Sequence, residues 1–313
     1  MTHELKEALR KQALEEGFQV AAFAPVAPPP HHDHLQTWLD QGCHGSMSWM
    51  TRNRQKREDP RQLMENLGTI LVLGTNYKPP DDPLAGLADP SCGIISAYAR
   101  NRDYHDRIKK RVRRLARWIE TQTGQTIQGR IFVDTAPVLE KPLAAAAGLG
   151  WQGKNTLLVN RQYGCWLFLA ELFLSITLPP DPPTPDHCGT CTRCIDACPT
   201  KALTPYQLDA SKCLAYLSIE HQGAIPEEFH KPMKNRLYGC DDCLVACPFN
   251  RFGPTTENPD FLPRKELINP PLEQLQQLDD EQFRERFRQS PVKRIGLERF
   301  RRNLAICIEN RSE

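Results

Sequence analysis

A chain of 313 residues, 40% of them hydrophobic and 12 of them cysteine, can bury roughly three quarters of its unfolded surface and needs no disulfides to fold. Its net charge of +2 is small but unevenly spread. No stretch approaches the ~20 apolar residues of a membrane span, and the charged, amphipathic start is no signal region, so a cytoplasmic protein with reduced thiols and no membrane partner is expected.

Along the chain, Leu5, Ala8, Leu9 and Ala13 recur at helical spacing and stop at Gly17, a residue suited to a left-handed helix end. A short apolar strand is predicted over 18–23. His31, His32 and His34 follow three prolines, Pro28 to Pro30, and are expected to open a solvated helix rather than hold a metal. Further strands are predicted over Thr69–Asn76, 94–98 and 127–133. Residues 100–117 carry nine Lys or Arg against Asp103 and Asp106, with Ile108, Val112, Leu115 and Ile119 forming an apolar stripe, so one helix face packs while the arginines look out.

After Val133 come Asp134, Thr135, Ala136 and Pro137, then a predicted helix over 138–149. The longest apolar run, 165–178, is interrupted by Glu171. Strands interleaved with helices give an α+β chain whose first part, 1–180, is an α/β-type domain. The proline-rich stretch 179–186 then forms a stiff linker into a cysteine-rich domain, 181–252. A short helical tail, 253–313, carries Leu272, Leu275, Leu278, Phe283, Phe287 and Leu297 and a second basic run from Lys293 to Arg302. Locally concentrated positive charge of this kind suits nucleic-acid phosphates, although a solvated helix face explains it too.

Eight cysteines form one pattern: Cys188, Cys191, Cys194 and Cys198-Pro199, then Cys213, then Cys240, Cys243 and Cys247-Pro248. The run C-x2-C-x2-C-x3-C-P is the bacterial ferredoxin motif, in which the fourth thiolate reaches across to the other cluster. One 4Fe-4S cluster is thus assigned to Cys188, Cys191, Cys194 and Cys247, and the other to Cys198, Cys213, Cys240 and Cys243. Cys213 replaces the thiolate missing at Leu237. Structural zinc fits worse, because its sites close with two CxxC pairs. Cys43, Cys92, Cys165 and Cys307 are expected to be buried hydrophobes. A ferredoxin-like module joined to some 180 other residues is expected to feed a second redox centre there.

The segments Phe132-Val-Asp134-Thr-Ala-Pro137-Val-Leu-Glu140, Gly148-Leu-Gly150-Trp151-Gln-Gly153-Lys154-Asn155-Thr156, Arg102-Asp103-Tyr104-His105 and Gly239-Cys240-Asp241-Asp242-Cys243, set around the double cysteine motif, resemble the epoxyqueuosine reductase family. The resemblance runs from about residue 5 to 310. It implies a cobalamin-binding catalytic domain ahead of the dicluster domain. The implied reaction is reduction of epoxyqueuosine to queuosine at the wobble position of GUN-anticodon tRNAs, the last step of queuosine synthesis. Electrons from an unidentified donor would pass through the clusters to cobalamin, and the tRNA anticodon stem-loop would meet the basic runs.

The same resemblance implies that Asp134 is the proton donor, its pKa raised by burial against the corrin; the bland alternative is that Asp134 or Thr135 caps the helix after Pro137. It also implies cobalamin contacts at Arg57, Asp134, Lys154, Asn155, Thr156, Asn160, Asp241 and Asp242. The sequence Asp103-Tyr104-His105 begins like a corrinoid D-x-H-x-x-G motif but lacks the glycine and is taken as unrelated. Longer family members continue into a helical-repeat extension beyond the position of Glu313, which leaves the extent of tRNA contact open. Two rivals are a reductive dehalogenase-like corrinoid enzyme, whose twin-arginine export signal is not seen at the start of this sequence, and an iron-sulfur electron carrier without a substrate.

Overall fold

The structure is a computed structural model that describes residues 2–311. Helix α1 (Thr2–Glu15) ends at Gly17, whose φ of 88° lets the chain turn back into strand β1 (Val20–Ala24). Then follow β2 (Thr69–Asn76), α2 (Tyr104–Thr123), β3 (Gly129–Phe132), the short α3 (Glu140–Ala146), β4 (Leu167–Leu174) and, close to the C-terminus, α4 (Gly296–Glu309). The four strands make one sheet in the order β1-β2-β4-β3, and every neighbouring pair is antiparallel.

The strand period of two divides the core between the two faces of the sheet. Leu71, Leu73, Phe168, Ala170 and Leu172 pack with Leu9 and Ala13 of α1 and with the α2 stripe Ile108, Val112, Leu115 and Ile119. Ile70, Val72, Leu169 and Phe173 pack with Leu143 and Ala144 of α3 on the other side. Helices cover both faces, so the first part of the chain is an antiparallel α+β layer structure and not the α/β type expected from the alternation of elements. Short strands and helices alternate in sequence here without a parallel crossover between neighbours.

Three other expectations change. The run 165–178 contains the inner strand β4, although its length and its interrupting Glu171 conceal the strand; Glu171 is wholly buried within it. The strand expected over 94–98 is only Ile94–Ile95, and it pairs in parallel with Arg236–Tyr238 from the cysteine-rich part. The helix expected from residue 138 starts at Glu140, with Leu139 as its N-cap and no capping side chain, so neither Asp134 nor Thr135 caps it.

Because of that parallel pair, the stretches expected as successive domains share cores. Ile95 and Ala99 join Leu237, Tyr238, Phe283, Phe287, Phe300 and Leu304 in one cluster, which draws the helical tail into a core. The proline-rich stretch is held rather than free. Asp181 pairs with Lys6 Nζ at 2.7 Å and Arg10 Nη2 at 3.0 Å, and exchanges backbone and side-chain hydrogen bonds with Phe23 at 2.8 Å. No helix among the described residues is long and apolar enough to cross a membrane.

Lys6 is almost fully covered beside Asp181, and removing one partner leaves a covered charge unpaired. Asp181→Ala is therefore expected to cost about 3 kcal/mol, read as a fall in the unfolding midpoint, with Asp181→Asn losing less because it can still accept from Phe23.

Candidate active site

Part of the cysteine set lines a common pocket. Cys188, Cys191, Cys194 and Cys247 line one pocket with Lys154 and Phe249. Trp151 Nε1 donates to Cys188 Sγ at 3.4 Å and the Ala202 amide donates to Cys198 Sγ at 3.3 Å. Cys243 lies within electrostatic range of Cys213 and Cys198, while Leu237 is wholly buried in a core, as expected of a position that carries no ligand. Among the described residues no three His, Cys, Asp or Glu converge on a single ion; Cys188, Cys191, Cys194 and Cys247 stand around a shared space instead. Burial pushes the Cys213, Cys240 and Cys243 thiols up, so thiolates there need the positive charge of bound iron. The donor set fits two cubane clusters. Of the four other cysteines, Cys92, Cys165 and Cys307 are buried and Cys43 is partly exposed.

Asp134 sits on the turn after β3 with φ +56°, a left-handed conformation unusual for a side chain that is not glycine. Its amide donates to Glu140 Oε1 at 2.5 Å. On its carboxylate, Oδ2 accepts from Tyr104 Oη at 2.9 Å and faces His105 Nε2 at 3.3 Å. His105 Nδ1 in turn lies 2.5 Å from Asp103 Oδ1, and the same oxygen caps α2 through the His105 amide. The Asp134 side chain is about half exposed, whereas His105 is covered.

These contacts separate the acidities. Desolvation would lower His105, but the hydrogen bonds and charges of Asp103 and Asp134 outweigh it and push the imidazole up to about 9. Desolvation would raise Asp134, but His105 and Tyr104 outweigh it and hold the carboxyl below its ordinary value. The upward shift expected for Asp134 is thus reversed in the chain by itself, because an imidazolium and a phenol grip one oxygen. Burial, followed by the charge of Asp134, raises Glu140 to about 7.

Tyr104, His105, Glu140 and Glu171 were not singled out as site residues by sequence reasoning. Asp-x-His was visible as a spacing, but its partner lies 29 residues away across the β3 turn.

The remaining sequence-derived cofactor residues divide. Arg57 is partly buried, its Nε has no partner and its guanidinium lies 5.7 Å from the Trp49 ring; it can take a phosphate or amide oxygen. Lys154 Nζ bonds the carbonyls of Gly189 and Cys191 at 2.6 and 3.1 Å. Asn155 bonds the Cys243 carbonyl at 3.3 Å. Thr156 adopts φ +63° in the same loop, and Asn160 bonds the Leu149 carbonyl at 2.6 Å and closes its own turn. Asp241 accepts from Ser96 Oγ and the Ala97 amide at 2.5 and 2.7 Å, and Asp242 is bidentate to Arg236 at 2.8 and 2.6 Å. Lys154 and Asn155 thus bond carbonyls of the cysteine loops, Asp241 and Asp242, themselves on such a loop, bond Ser96, Ala97 and Arg236, and Asn160 braces its own turn against Leu149. Arg57 and Asp134 keep capacity for a large polar ligand: an unpartnered guanidinium nitrogen and a half-exposed carboxylate fit the phosphate and amide groups of cobalamin.

The basic runs are also partly spent inside the protein. Arg100 is wholly buried and bonds Asp81 and two carbonyls; Arg302 and Arg299 bond carbonyls around Ile219 and His221. Lys110, Arg113, Arg117, Lys293 and Arg294 are exposed. Lys109 reaches Thr135 Oγ1 at 3.5 Å beside Asp134, and Arg294 lies within electrostatic range of Asp134.

Comparison with known proteins bears on these groups. The family described as epoxyqueuosine reductase QueG, DUF1730, matches residues 57–135, and the 4Fe-4S double cluster binding domain matches residues 187–250. An epoxyqueuosine reductase of Xanthomonas campestris pv. campestris is 44% identical over 305 residues, covering 96% of this chain and 86% of its own length. A crystal structure of epoxyqueuosine reductase with an epoxyqueuosine-modified stem loop of tyrosine tRNA superposes with TM-score 0.91 at 28% identity, over 99% of this chain and 82% of that one. The Bacillus subtilis epoxyqueuosine reductase, solved with its aspartate-bearing catalytic loop swung out of the active site, gives TM-score 0.89 at 27% identity over 99% and 82%.

His105 has a folded pKa above its unfolded value of about 6.5. Its ion pairs therefore stabilise fully below about pH 6.5 and are lost as pH rises through about 9, a contribution of at most about 3 kcal/mol. The difference in unfolding free energy between the native chain and His105→Gln should shrink as pH rises from about 6 to about 10, and NMR of the imidazole should give a midpoint near 9.

Proposed function

Because the chain belongs to the epoxyqueuosine reductase family, we propose that it removes the epoxide oxygen of epoxyqueuosine at the wobble position of GUN-anticodon tRNAs, giving queuosine and water. It is an oxidoreductase. Its redox groups are two 4Fe-4S clusters, on Cys188, Cys191, Cys194 and Cys247 and on Cys198, Cys213, Cys240 and Cys243, together with cobalamin held at the Asp134 end of the sheet. Cobalamin, when bound, supplies the strongly reducing metal centre that opens the strained ring.

The observation that carries the reading is the Asp134 carboxylate, presented half exposed on a left-handed turn with Tyr104 and a covered His105 on one oxygen. Loss of the epoxide oxygen as water consumes two electrons and two protons, so a proton donor must stand at the departing oxygen. Asp134 is that donor. His105, charged at neutral pH, backs it, and cover by cofactor and nucleoside would raise the carboxyl toward a useful acidity. Lys141, beside Glu140, lies within electrostatic range of both Asp134 and Cys213, so the proton donor and the second cluster approach the same region. Lys109 and Arg294 flank it with positive charge for the stem-loop phosphates, and the wobble base, unstacked in its loop, can be inserted.

Asp134→Ala should keep its iron and cobalamin while single-turnover deoxygenation of an epoxyqueuosine stem-loop falls at least ~100-fold; turnover at the native rate would remove Asp134 from the mechanism. Cys213→Ala should lose about half of the bound iron, since one of two four-iron clusters loses a ligand. The double reversal Arg113→Glu with Arg117→Glu should weaken stem-loop binding and flatten the logarithmic salt slope by about two, whereas an unchanged slope would make this helix face merely solvated.

A further inference from the structure

Glu171 is the group that the mechanism above leaves unused. It sits in the middle of β4, one of the two inner strands, opposite Val72 of β2 and Phe132 of β3, and is 0% exposed. It shares its face of the sheet with Leu169 and Phe173, among apolar side chains of α3. Neither carboxyl oxygen has a hydrogen-bond donor among the described residues. The charged neighbours that act on it are Glu140 and Asp134, both acidic. An ionised Glu171 would be a buried anion facing anions, which the fold has no means to stabilise. Carrying a proton, it can donate to Glu140, the neighbouring carboxyl within interaction range of it. Two carboxyls that close cannot both ionise; they titrate as a pair.

Glu140 Oε1 accepts the Asp134 amide at 2.5 Å. Glu140 thus ties the interior of the sheet to the backbone of the turn that carries the proposed donor, and the Asp134 carboxylate lies within electrostatic range of both Glu140 and Glu171. Asp134 is held from the opposite side by Tyr104 and His105, and Lys141 is the cation within range of Glu140.

We infer that Glu171 and Glu140 form a buried acid–carboxylate pair that positions the Asp134 turn and supplies the second proton of the reduction. The inference rests on the reaction assigned above, whose balance requires it: the epoxide plus two electrons and two protons gives the alkene and water, and Asp134 carries one proton at a time. After Asp134 has given its proton to the departing oxygen, the pair passes its shared proton to the Asp134 carboxylate, which delivers it to the same oxygen. The pair is refilled from solvent when the site reopens. Once cofactor and nucleoside cover the mouth, the sheet interior is a source that bulk water does not have to reach.

The test begins with the resting protein. Infrared spectroscopy of the native chain at neutral pH should give a carboxylic-acid C=O stretch from a group out of contact with water, and Glu171→Gln should lose it. Absence of the band would overturn the pair whatever the reaction proves to be. The second arm uses the cluster- and cobalamin-loaded enzyme on the epoxyqueuosine stem-loop. Glu171→Gln and Glu140→Gln preserve shape, and the latter still offers an oxygen to the Asp134 amide. Each should lower kcat at least ten-fold with KM unchanged and enlarge the solvent isotope effect. Native kcat and isotope effect in both variants, with the native enzyme active, would overturn the proton supply and leave His105 as the source. An inactive native enzyme with the band present would contradict the assigned reaction and leave the pair standing.

Discussion

The stretch from Ile94 to His105 ties the two halves of the molecule together. Ser96 and Ala97 both bond Asp241, which lies between Cys240 and Cys243, and Ile94 and Ile95 add a parallel pair to Arg236–Tyr238. Arg100 then anchors the chain with no exposure at all, and within a few residues Tyr104 and His105, the latter backed by Asp103, reach Asp134. A shift of this stretch would move a cysteine loop and the grip on the acid together. Asp241 is buried, and desolvation raises it despite the two donors. Loss of either donor would leave a covered carboxylate short of a partner, so the geometry is strongly determined.

Electrostatics on the two sides of the Asp134 turn oppose one another. On the α2 side an imidazolium and a phenol favour the charged carboxylate; on the α3 side two further carboxyls under apolar cover favour protonated forms. Groups of the same chemistry are thereby driven apart in acidity by their surroundings, as proton-transfer sites require. The strain of a left-handed aspartate is compensated by the hydrogen bond from its amide to Glu140, so the turn has a reason to hold its shape before any ligand arrives.

Much of this was legible in the residues. The cysteine spacing pointed to a double-cluster domain, which the family match over residues 187–250 bears out, because a ferredoxin run has few other uses. The α2 stripe and β2 followed from periodicity. Strand β4 did not, since a charged residue inside an apolar run resembles an interruption until its partner is known. Glu171 acquires a meaning only beside Glu140, which neither period nor spacing can bring together. The hydrogen bonds of Asp241, Asp242 and Asn155 to Ser96, Arg236 and the Cys243 carbonyl join residues far apart in sequence or hidden in loops, and no spacing announces them. His105 was dismissed because its motif lacked a glycine; its actual partner is the acid across the sheet.

The central claim is that this chain reduces a wobble-position epoxide, and nucleoside mass spectrometry tests it most directly. The native protein, loaded with both clusters and cobalamin and reduced under anaerobic conditions, is incubated with an epoxyqueuosine-containing anticodon stem-loop. The account predicts that the wobble nucleoside loses the mass of one oxygen atom; an unaltered nucleoside, with clusters and corrin verified, would contradict it.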